Sequence, residues 1–247
     1  MQVTILGYYG GYPTNDVGTS AYLIQSDGYN LLMDAGSASL LALEHHIDPL
    51  DLDAVLLSHY HHDHIADLGV LQFTRQLKRT EKGDRAPLLS VYGHSEDQEA
   101  FRKTTLEEVS QGIDYTKEDS VTIGPFDVTY LKTLHPVPCY AFKIVERVTG
   151  KTLVYTADSG YLEAFLPFAE GADLLITDTN LFKGMEGHSV HMTSKECGYI
   201  ANKSNIDQLV LSHLPQKGNL DLLREEAAAE APNTRVMLAE KHLKISI

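Results

Sequence analysis

Short apolar runs alternate along the chain with longer segments in which apolar residues recur every three or four positions. Such runs are typical of buried strands, and the longer period is typical of helices. The pattern predicts strands at 1–7, 19–25, 29–33, 54–57, 88–92, 121–123, 126–133, 140–145, 152–156, 173–177, 208–211, 235–238 and 242–247. It predicts helices at 37–46, 67–78, 162–169 and 220–230, with another that begins at Thr193. Residues 97–119 are predicted to be helical and then loop-like.

This alternation of strands and helices indicates an α/β protein. Gly124-Pro125 and Thr149-Gly150 separate neighbouring strands and predict hairpins. At 247 residues the chain is long enough for a substantial core, and it contains no repeat, low-complexity segment or interdomain linker. We therefore expect a single domain that spans residues 1–247.

Histidine and aspartate residues follow the ends of these strands with clear regularity. Seven of them come just past the carboxyl end of a predicted strand: His59, His61, Asp63, His64, His135, Asp158 and His213. Functional groups gather at the strand ends of α/β sheets, and a metal site on such a scaffold needs its ligands at one rim. These residues are therefore candidate metal ligands.

The segment from Ser58 to His64 carries the densest part of this pattern. His59 and His61 are two positions apart, so on an extended turn their side chains point to the same side. Asp63 and His64 follow where the chain begins to coil, and they can face a second point nearby. Imidazole nitrogen and carboxylate oxygen suit Zn²⁺, Mn²⁺ or Fe²⁺. Two adjacent ions accommodate these four ligands better than one ion does. The alternative interpretation of the segment is a histidine-rich surface loop that binds no metal.

Asp34, Cys139 and Cys197 have simpler interpretations. Asp34 follows the strand at 29–33, where it could cap a helix or make a turn, or could hydrogen-bond the histidine loop. The two cysteines do not make a disulfide framework, and we read both as small buried residues.

Composition limits the class of protein. No apolar run approaches the roughly 20 residues needed to cross a membrane, and the N-terminus reads as a strand without the features of a signal peptide. Together with the two cysteines, this favours a cytoplasmic protein with no membrane association. Hydrophobic residues make up 43% of the chain, which is ordinary for a globular fold.

The formal net charge of −14 bears on the substrate. Proteins that bind nucleic acids usually present a basic face, because neutralising phosphates supplies most of their affinity. The one dense basic patch here is 75–79, with Lys82 and Arg85. Composition therefore favours a small substrate over RNA.

The motifs resemble those of the metallo-β-lactamase superfamily and, within it, the ribonuclease Z-like hydrolases that lack an RNA-binding arm. His59 to His64 stand as His-x-His-x-Asp-His, and Asp34-Ala35-Gly36 matches the family's Asp-x-Gly. The resemblance covers nearly the whole chain. It implies a four-layered αβ/βα sandwich with a dinuclear metal site at one edge of the sheets, and it leads us to expect a homodimer.

The resemblance also implies a role for each candidate residue. The ligands of one ion would be His59, His61 and His135, those of the other would be Asp63, His64 and His213, and Asp158 would bridge both ions. On this resemblance, Asp63 is expected to be a catalytic residue as well as a metal ligand. Zn²⁺ is favoured, with Mn²⁺ or Fe²⁺ as alternatives, and a bridging hydroxide would be the nucleophile. His191, supported by Asp178, would protonate the leaving oxygen.

Two departures from the family pattern bear on function. The tRNA-processing members carry an inserted arm where this chain joins His135 to Asp158 by little more than a hairpin, and Asp178 stands where those enzymes have a glutamate. We therefore expect a metal-dependent phosphodiesterase that acts on a small or accessible phosphodiester. The alternatives are a 3′-tRNA-processing endoribonuclease and a hydrolase of lactones or thioesters. A nonenzymatic metal-binding protein is the least favoured, since all seven ligands are intact.

Overall fold

The computed structural model describes residues 1–247, which form two compact units: residues 1–119 with 241–246, and residues 120–240 with 247. Each unit is built on one β-sheet. The single-domain organisation expected from the sequence stays a prediction, because this division describes only the packing within each unit. No helix combines the length and the hydropathy that a bilayer-spanning segment requires.

The first unit contains eight strands and four helices. The strands are β1 (Gln2–Tyr9), β2 (Gly18–Thr19), β3 (Ala21–Ser26), β4 (Tyr29–Met33), β5 (Ala54–Leu56), β6 (Leu89–Gly93), β7 (Ser110–Asp114) and β15 (Lys244–Ser246). The helices are α1 (Ser39–Leu43), α2 (His62–Ile65), α3 (Leu68–Leu77) and α4 (Gln98–Arg102). The strand order is β15-β1-β3-β4-β5-β6-β7, with β2 beside β1. Because β4 to β7 are parallel, their carboxyl ends lie at one edge.

Strand β7 was not expected from the sequence. Its residues Ser-Gln-Gly-Ile-Asp include only one strong strand former, so local pattern does not predict a strand here. It pairs with β6 alone at the end of the sheet. Pairing with an already formed strand outweighs the weak local preference.

The first core is formed by apolar side chains of the central strands and the adjoining helices. Fully buried members include Leu6, Leu23, Val55, Leu57 and Val91. Such continuous burial is expected for strands covered on both faces.

Helix α3 adds Leu68 and Leu71 to this core, but its other apolar residues point outwards. Val70, Phe73 and Leu77 are exposed. The buried face instead includes Gln72 and Arg75. The apolar positions of this helix therefore do not all lie on its buried face.

Arg75 does not belong to a basic surface patch. Its side chain is buried, and its guanidinium donates hydrogen bonds to the carbonyl oxygens of Pro49, Leu50, Leu52 and Pro87. A buried guanidinium needs such acceptors, since leaving its donors unpaired would be costly. The basic patch at 75–79 thereby presents one cation fewer on the surface than the sequence indicated.

The second unit contains seven strands and three helices. The strands are β8 (Ser120–Ile123), β9 (Phe126–Lys132), β10 (Tyr140–Glu146), β11 (Thr152–Tyr155), β12 (Leu174–Asp178), β13 (Gln208–Ser212) and β14 (Arg235–Leu238). The helices are α5 (Phe165–Ala169), α6 (Ser194–Lys203) and α7 (Leu220–Glu230). The strand order is β14-β13-β12-β11-β10-β9-β8. Strands β11 to β14 are parallel, and β9 runs the same way because β10 is antiparallel to both β9 and β11.

Helix α6 begins at the position that the sequence predicted, with a capping box. The Thr193 hydroxyl accepts a hydrogen bond from the backbone of Glu196, whose carboxylate accepts one from the backbone of Thr193. Its inner face buries Cys197, as expected for a small apolar residue, and Cys139 is buried as well. Gly198 lies so close to α7 that a Cβ atom there would come within 2.3 Å of the Ala227 carbonyl oxygen. The two helices can pack this closely only because residue 198 has no side chain.

Candidate metal centre

The segment after β5 presents two imidazoles to the same point. His59 is buried and His61 half-buried, and the Nε2 atom of His59 lies 3.1 Å from the Nδ1 atom of His61. Two nitrogens bound to one tetrahedral Zn²⁺ at 2.0–2.1 Å would be roughly 3.3 Å apart. The spacing in the structure is thus close to that of two ligands of one ion.

The chain then turns into α2, where Asp63 and His64 form a second pair. His64 is buried, and its Nε2 atom lies 3.6 Å from an oxygen of Asp63. That carboxylate oxygen also accepts a hydrogen bond from the backbone of Gly11, at 2.8 Å. His62 lies between the two pairs and is exposed. The spacing of the candidate ligands therefore changes from every second residue to adjacent residues where α2 begins.

Asp34 fixes the orientation of this loop. Its carboxylate accepts hydrogen bonds from the backbone and the hydroxyl of Ser58, both at 2.8 Å, and from the Nδ1 atom of His64 at 2.7 Å. The cap residue of α1 is Ala38, so Asp34 does not cap that helix. Because Nδ1 of His64 donates to Asp34, its Nε2 atom is the one that can bind a metal ion.

Gly36 completes the Asp-x-Gly motif for a steric reason. A Cβ atom at this position would come within 2.3 Å of the carbonyl oxygen of Asp63 and within 2.4 Å of the Thr19 hydroxyl. The backbone segment that carries Asp34 and the segment that carries Asp63 can approach this closely only because residue 36 has no side chain.

In the second unit, one carboxylate faces two imidazoles. An oxygen of Asp158 lies 3.9 Å from Nε2 of His135 and 3.3 Å from Nε2 of His213. All three side chains are almost completely buried. Each follows the carboxyl end of its strand, β9, β11 or β13, and these ends share one edge of the sheet. The rim position predicted from the sequence is confirmed within this sheet.

The backbone is strained next to these ligands. Ala157 and His213 both have a φ of 51°, and Asp34 has a φ of 55°. Residues other than glycine rarely adopt this left-handed conformation, which costs on the order of 1–3 kcal/mol, and such residues cluster at functional sites. The fold retains this strain at the point where it positions its candidate ligands.

Asp178 orients histidine side chains in the second unit, as Asp34 does in the first. Its carboxylate accepts hydrogen bonds from Nδ1 of His191 at 2.8 Å and from the backbone of Ser159 at 3.1 Å. Its other oxygen lies 3.3 Å from Nδ1 of His213, whose Nε2 atom faces Asp158. Asp178, His191 and His213 are close enough to hold an ion themselves. Their contacts are nevertheless those of a carboxylate that orients two imidazoles.

His191 is suited to hold a proton. Burial lowers its pKa, but the hydrogen bond to Asp178 and the charge of that carboxylate outweigh burial, so the pKa is raised above 6.5. Its ring stacks on that of His213, with the centroids 5.1 Å apart. Although Asp178 is one methylene shorter than glutamate, it reaches His191 directly. The structure thus brings together the pair predicted to protonate the leaving group.

Two serines that sequence reasoning missed support the site. The backbone and the hydroxyl of Ser58 donate hydrogen bonds to Asp34. The Ser159 hydroxyl accepts a hydrogen bond from the backbone of Leu134, next to His135. Both serines adjoin a candidate ligand in sequence, which is the signal that could have identified them. The structure places Lys217 and His188 on the surface.

The donor chemistry fits divalent metal ions. The candidate ligands are imidazole nitrogens and carboxylate oxygens, the usual ligands of Zn²⁺ and its neighbours. In His64 and His213, the nitrogen that does not face the other candidate ligands lies beside a carboxylate, as is typical of metal-binding histidines.

Known proteins are similar to this chain in sequence and fold. The family model described as "Metallo-beta-lactamase superfamily" matches residues 14–187. The probable metallo-hydrolase YhfI of Bacillus subtilis is 48% identical over 92% of each chain. Its crystal structure superposes with a TM-score of 0.92, at 44% identity, over 99% of this chain and 98% of that one. Ribonuclease Z of Methanopyrus kandleri is 27% identical over 92% of this chain and 91% of its own length.

Replacing Asp34 by asparagine should weaken metal binding by roughly 10- to 100-fold, because His64 would lose the carboxylate that orients it. Competition with a chromophoric chelator measures the affinity. Asp119→Asn, at an exposed position, is the matched control and should bind as the wild type does. An Asp34→Asn variant that is folded and binds metal with unchanged affinity would contradict the role assigned to Asp34.

Proposed function

The chain belongs to the metallo-β-lactamase superfamily, and from this premise we propose that it is a dinuclear phosphodiesterase for a small or accessible phosphodiester. Membership makes it a metal-dependent hydrolase with the metallo-β-lactamase fold, so the fold class expected from the motifs is confirmed. The proposal goes beyond family membership in three respects: the number of metal ions, the type of bond hydrolysed and the substrate. The observation that carries it is the hydrogen-bonded pair of Asp178 and His191 beside His213.

We propose seven ligands for two divalent cations, Zn²⁺ above Mn²⁺ or Fe²⁺. They are His59, His61 and His135 for one ion, Asp63, His64 and His213 for the other, and Asp158 for both. Support comes from each unit separately: two ligand pairs follow β5 in the first, and Asp158 faces two imidazoles in the second. Bound cations would supply positive charge for the reacting phosphate and would lower the pKa of a water molecule to about 7.

The chain's own groups complete the chemistry. Asp34 and Asp178 keep His64 and His213 in the tautomer that presents Nε2. Asp63 is held by the backbone of Gly11, so its carboxylate is fixed before substrate arrives. His191 carries the proton, and Asp178 stabilises the imidazolium until the leaving oxygen takes the proton.

A positioned general acid supports a phosphodiester substrate. The alkoxide released from an alkyl phosphodiester is a poor leaving group, so its protonation by His191 would contribute strongly to the rate. The relative named ribonuclease Z, which matches over most of both chains, favours the same bond type.

A small substrate is favoured by the charge and by the connections within the second unit. The net charge is −14, and Arg75 is buried. Between His135 and Asp158 the chain forms only the β10–β11 hairpin and its short connections. No arm is available there to grip RNA.

Processing of tRNA 3′ ends is the second candidate, supported by the full-length match to that ribonuclease Z. It would require a basic surface that this acidic chain has to assemble elsewhere, as in the homodimer expected from the resemblance. A precursor tRNA is therefore the competing substrate in any assay.

The metal-loaded protein should hydrolyse bis(p-nitrophenyl) phosphate, and Asp158→Ala should reduce the rate at least about 100-fold, since both ions would lose a ligand. Release of p-nitrophenolate is followed by absorbance after loading with Zn²⁺ or Mn²⁺. Asp119→Ala serves as the control for an exposed aspartate. Fully loaded wild-type protein without activity, or an Asp158→Ala variant of unchanged activity, would overturn the proposal.

His191→Gln should slow release of an alkyl alcohol by roughly 100-fold or more and release of p-nitrophenolate much less, because p-nitrophenolate leaves without protonation. The measurement compares kcat for two phosphodiesters that differ only in the leaving group. Equal losses on both substrates would show that His191 does not act as the general acid.

A further inference from the structure

The segment that carries the proposed general acid contains a turn closed by a side chain. The backbone N–H groups of Val190 and His191 both donate hydrogen bonds to Nδ1 of His188, each at 3.3 Å. Asparagine and aspartate side chains close turns in a similar way, by accepting from the backbone two residues on. A ring nitrogen that accepts hydrogen bonds carries no proton, so the neutral ring of His188 has its proton on Nε2. The shape of the segment 188–191 therefore depends on one imidazole nitrogen.

His188 holds the backbone of His191, whereas Asp178 holds its ring. The Nδ1 atom of His191 donates to Asp178 at 2.8 Å, and its backbone N–H donates to His188. The ring planes of His188 and His191 differ by 5°, with the centroids 6.2 Å apart. One hydrogen bond fixes how the His191 ring is turned, and the other fixes the point at which the side chain leaves the backbone. The proposed acid is thus held at both ends of the residue.

The same turn sets the direction of a backbone carbonyl group. The peptide bond between Val190 and His191 is planar and trans, so its N–H and C=O groups point in opposite directions. On one side, the N–H of His191 donates to His188. On the other side, the carbonyl oxygen of Val190 lies 3.4 Å from Nδ1 of His135. One peptide group therefore joins His188 to a proposed metal ligand.

This carbonyl group orients His135. A carbonyl oxygen can only accept, so Nδ1 of His135 is the donor in this contact, and Nε2 is the atom that can bind a metal ion. That Nε2 atom lies 3.9 Å from an oxygen of Asp158. Histidine ligands of metal ions usually donate their other nitrogen to a carboxylate or a backbone carbonyl. Val190 provides that acceptor for His135, so the direction of its carbonyl group bears on metal binding.

His188 is itself fixed by close packing of the backbone. A Cβ atom at Gly160 would lie 2.4 Å from the carbonyl oxygen of His188, so the two segments touch where residue 160 has no side chain. The backbone of Gly160 in turn donates a hydrogen bond to the carbonyl oxygen of Leu134, the neighbour of His135. The His188 residue is nevertheless exposed. Replacing its side chain should therefore leave folding nearly unchanged.

We propose that His188 is a positioning residue of the reaction centre. By accepting two backbone hydrogen bonds, its Nδ1 atom fixes the peptide group between Val190 and His191. That peptide group directs Nε2 of His135 towards Asp158 and places His191 for proton transfer. The part that concerns His191 rests on the proposed phosphodiesterase function, whereas the part that concerns His135 requires only that the protein binds metal ions.

Metal affinity tests the effect on His135 without catalysis. His188→Ala should bind Zn²⁺ roughly tenfold more weakly than the wild type, because the Val190 carbonyl is no longer held as the acceptor for His135. His188→Asn should retain most of the affinity, since Oδ1 of asparagine can accept the same backbone hydrogen bonds. Competition with a chromophoric chelator measures the affinity, and thermal unfolding checks that each variant is folded.

His45→Ala, which removes an exposed imidazole from the first unit, is the matched control and should bind Zn²⁺ as the wild type does. A folded His188→Ala variant with the affinity of the wild type would overturn the role assigned to His188 in orienting His135. Equal losses in the alanine and asparagine variants would overturn it as well.

Dependence on the leaving group tests the effect on His191. At saturating Zn²⁺, kcat is compared for two phosphodiesters that differ only in the leaving group, an alkyl alcohol or p-nitrophenolate. His188→Ala should lower kcat for the alkyl ester roughly tenfold more than for the p-nitrophenyl ester, because only the alkyl alcohol needs protonation. His188→Asn should restore most of the loss. A merely structural defect would lower both rates by the same factor.

The outcomes separate this inference from the proposed function. If His191→Gln slows the alkyl ester selectively and His188→Ala does not, His188 does not position the acid, although the phosphodiesterase stands. If the metal-loaded wild-type protein hydrolyses neither ester, the proposed function fails. The metal titration then decides by itself whether His188 orients His135.

Discussion

The site depends on two buried carboxylates that orient imidazoles. Asp34 and Asp178 each stand at the end of a strand, accept hydrogen bonds from the adjoining backbone and face the Nδ1 atom of a histidine. Each contact fixes one tautomer and directs Nε2 away from the carboxylate. A buried carboxylate is costly unless it is hydrogen-bonded, and these contacts offset that cost. The orientation of the candidate ligands is therefore set by the fold before any ion binds.

The same device connects a proposed metal ligand with the proposed general acid. Asp178 contacts His213, a proposed ligand, and His191, the proposed acid. Its hydrogen bond and its charge raise the pKa of His191 against the effect of burial, and the stacked rings of His191 and His213 both lie against its carboxylate. The left-handed backbone at His213 shows that the fold accepts strain here to obtain this arrangement. Loss of Asp178 would disturb both functions together, as expected when one group serves two neighbours.

The sequence predicted the parts of this site that depend on local pattern. Strand ends placed His135, Asp158 and His213, because the apolar runs before them are unambiguous. Local pattern could not decide what Asp34 contacts, since its partner Ser58 comes from another strand end. Nor could it detect the burial of Arg75, which depends on carbonyl groups brought together by folding. These features arise from tertiary packing, and a single sequence encodes no pairwise signal for them.

The most direct measurement is anomalous scattering at the zinc absorption edge from crystals of the Zn²⁺-loaded protein. We expect two peaks roughly 3.5–4 Å apart, with Asp158 in contact with both. One peak should have His59, His61 and His135 around it, and the other should have Asp63, His64 and His213. A single peak, or two peaks that do not share Asp158, would contradict the dinuclear site on which the proposed function rests.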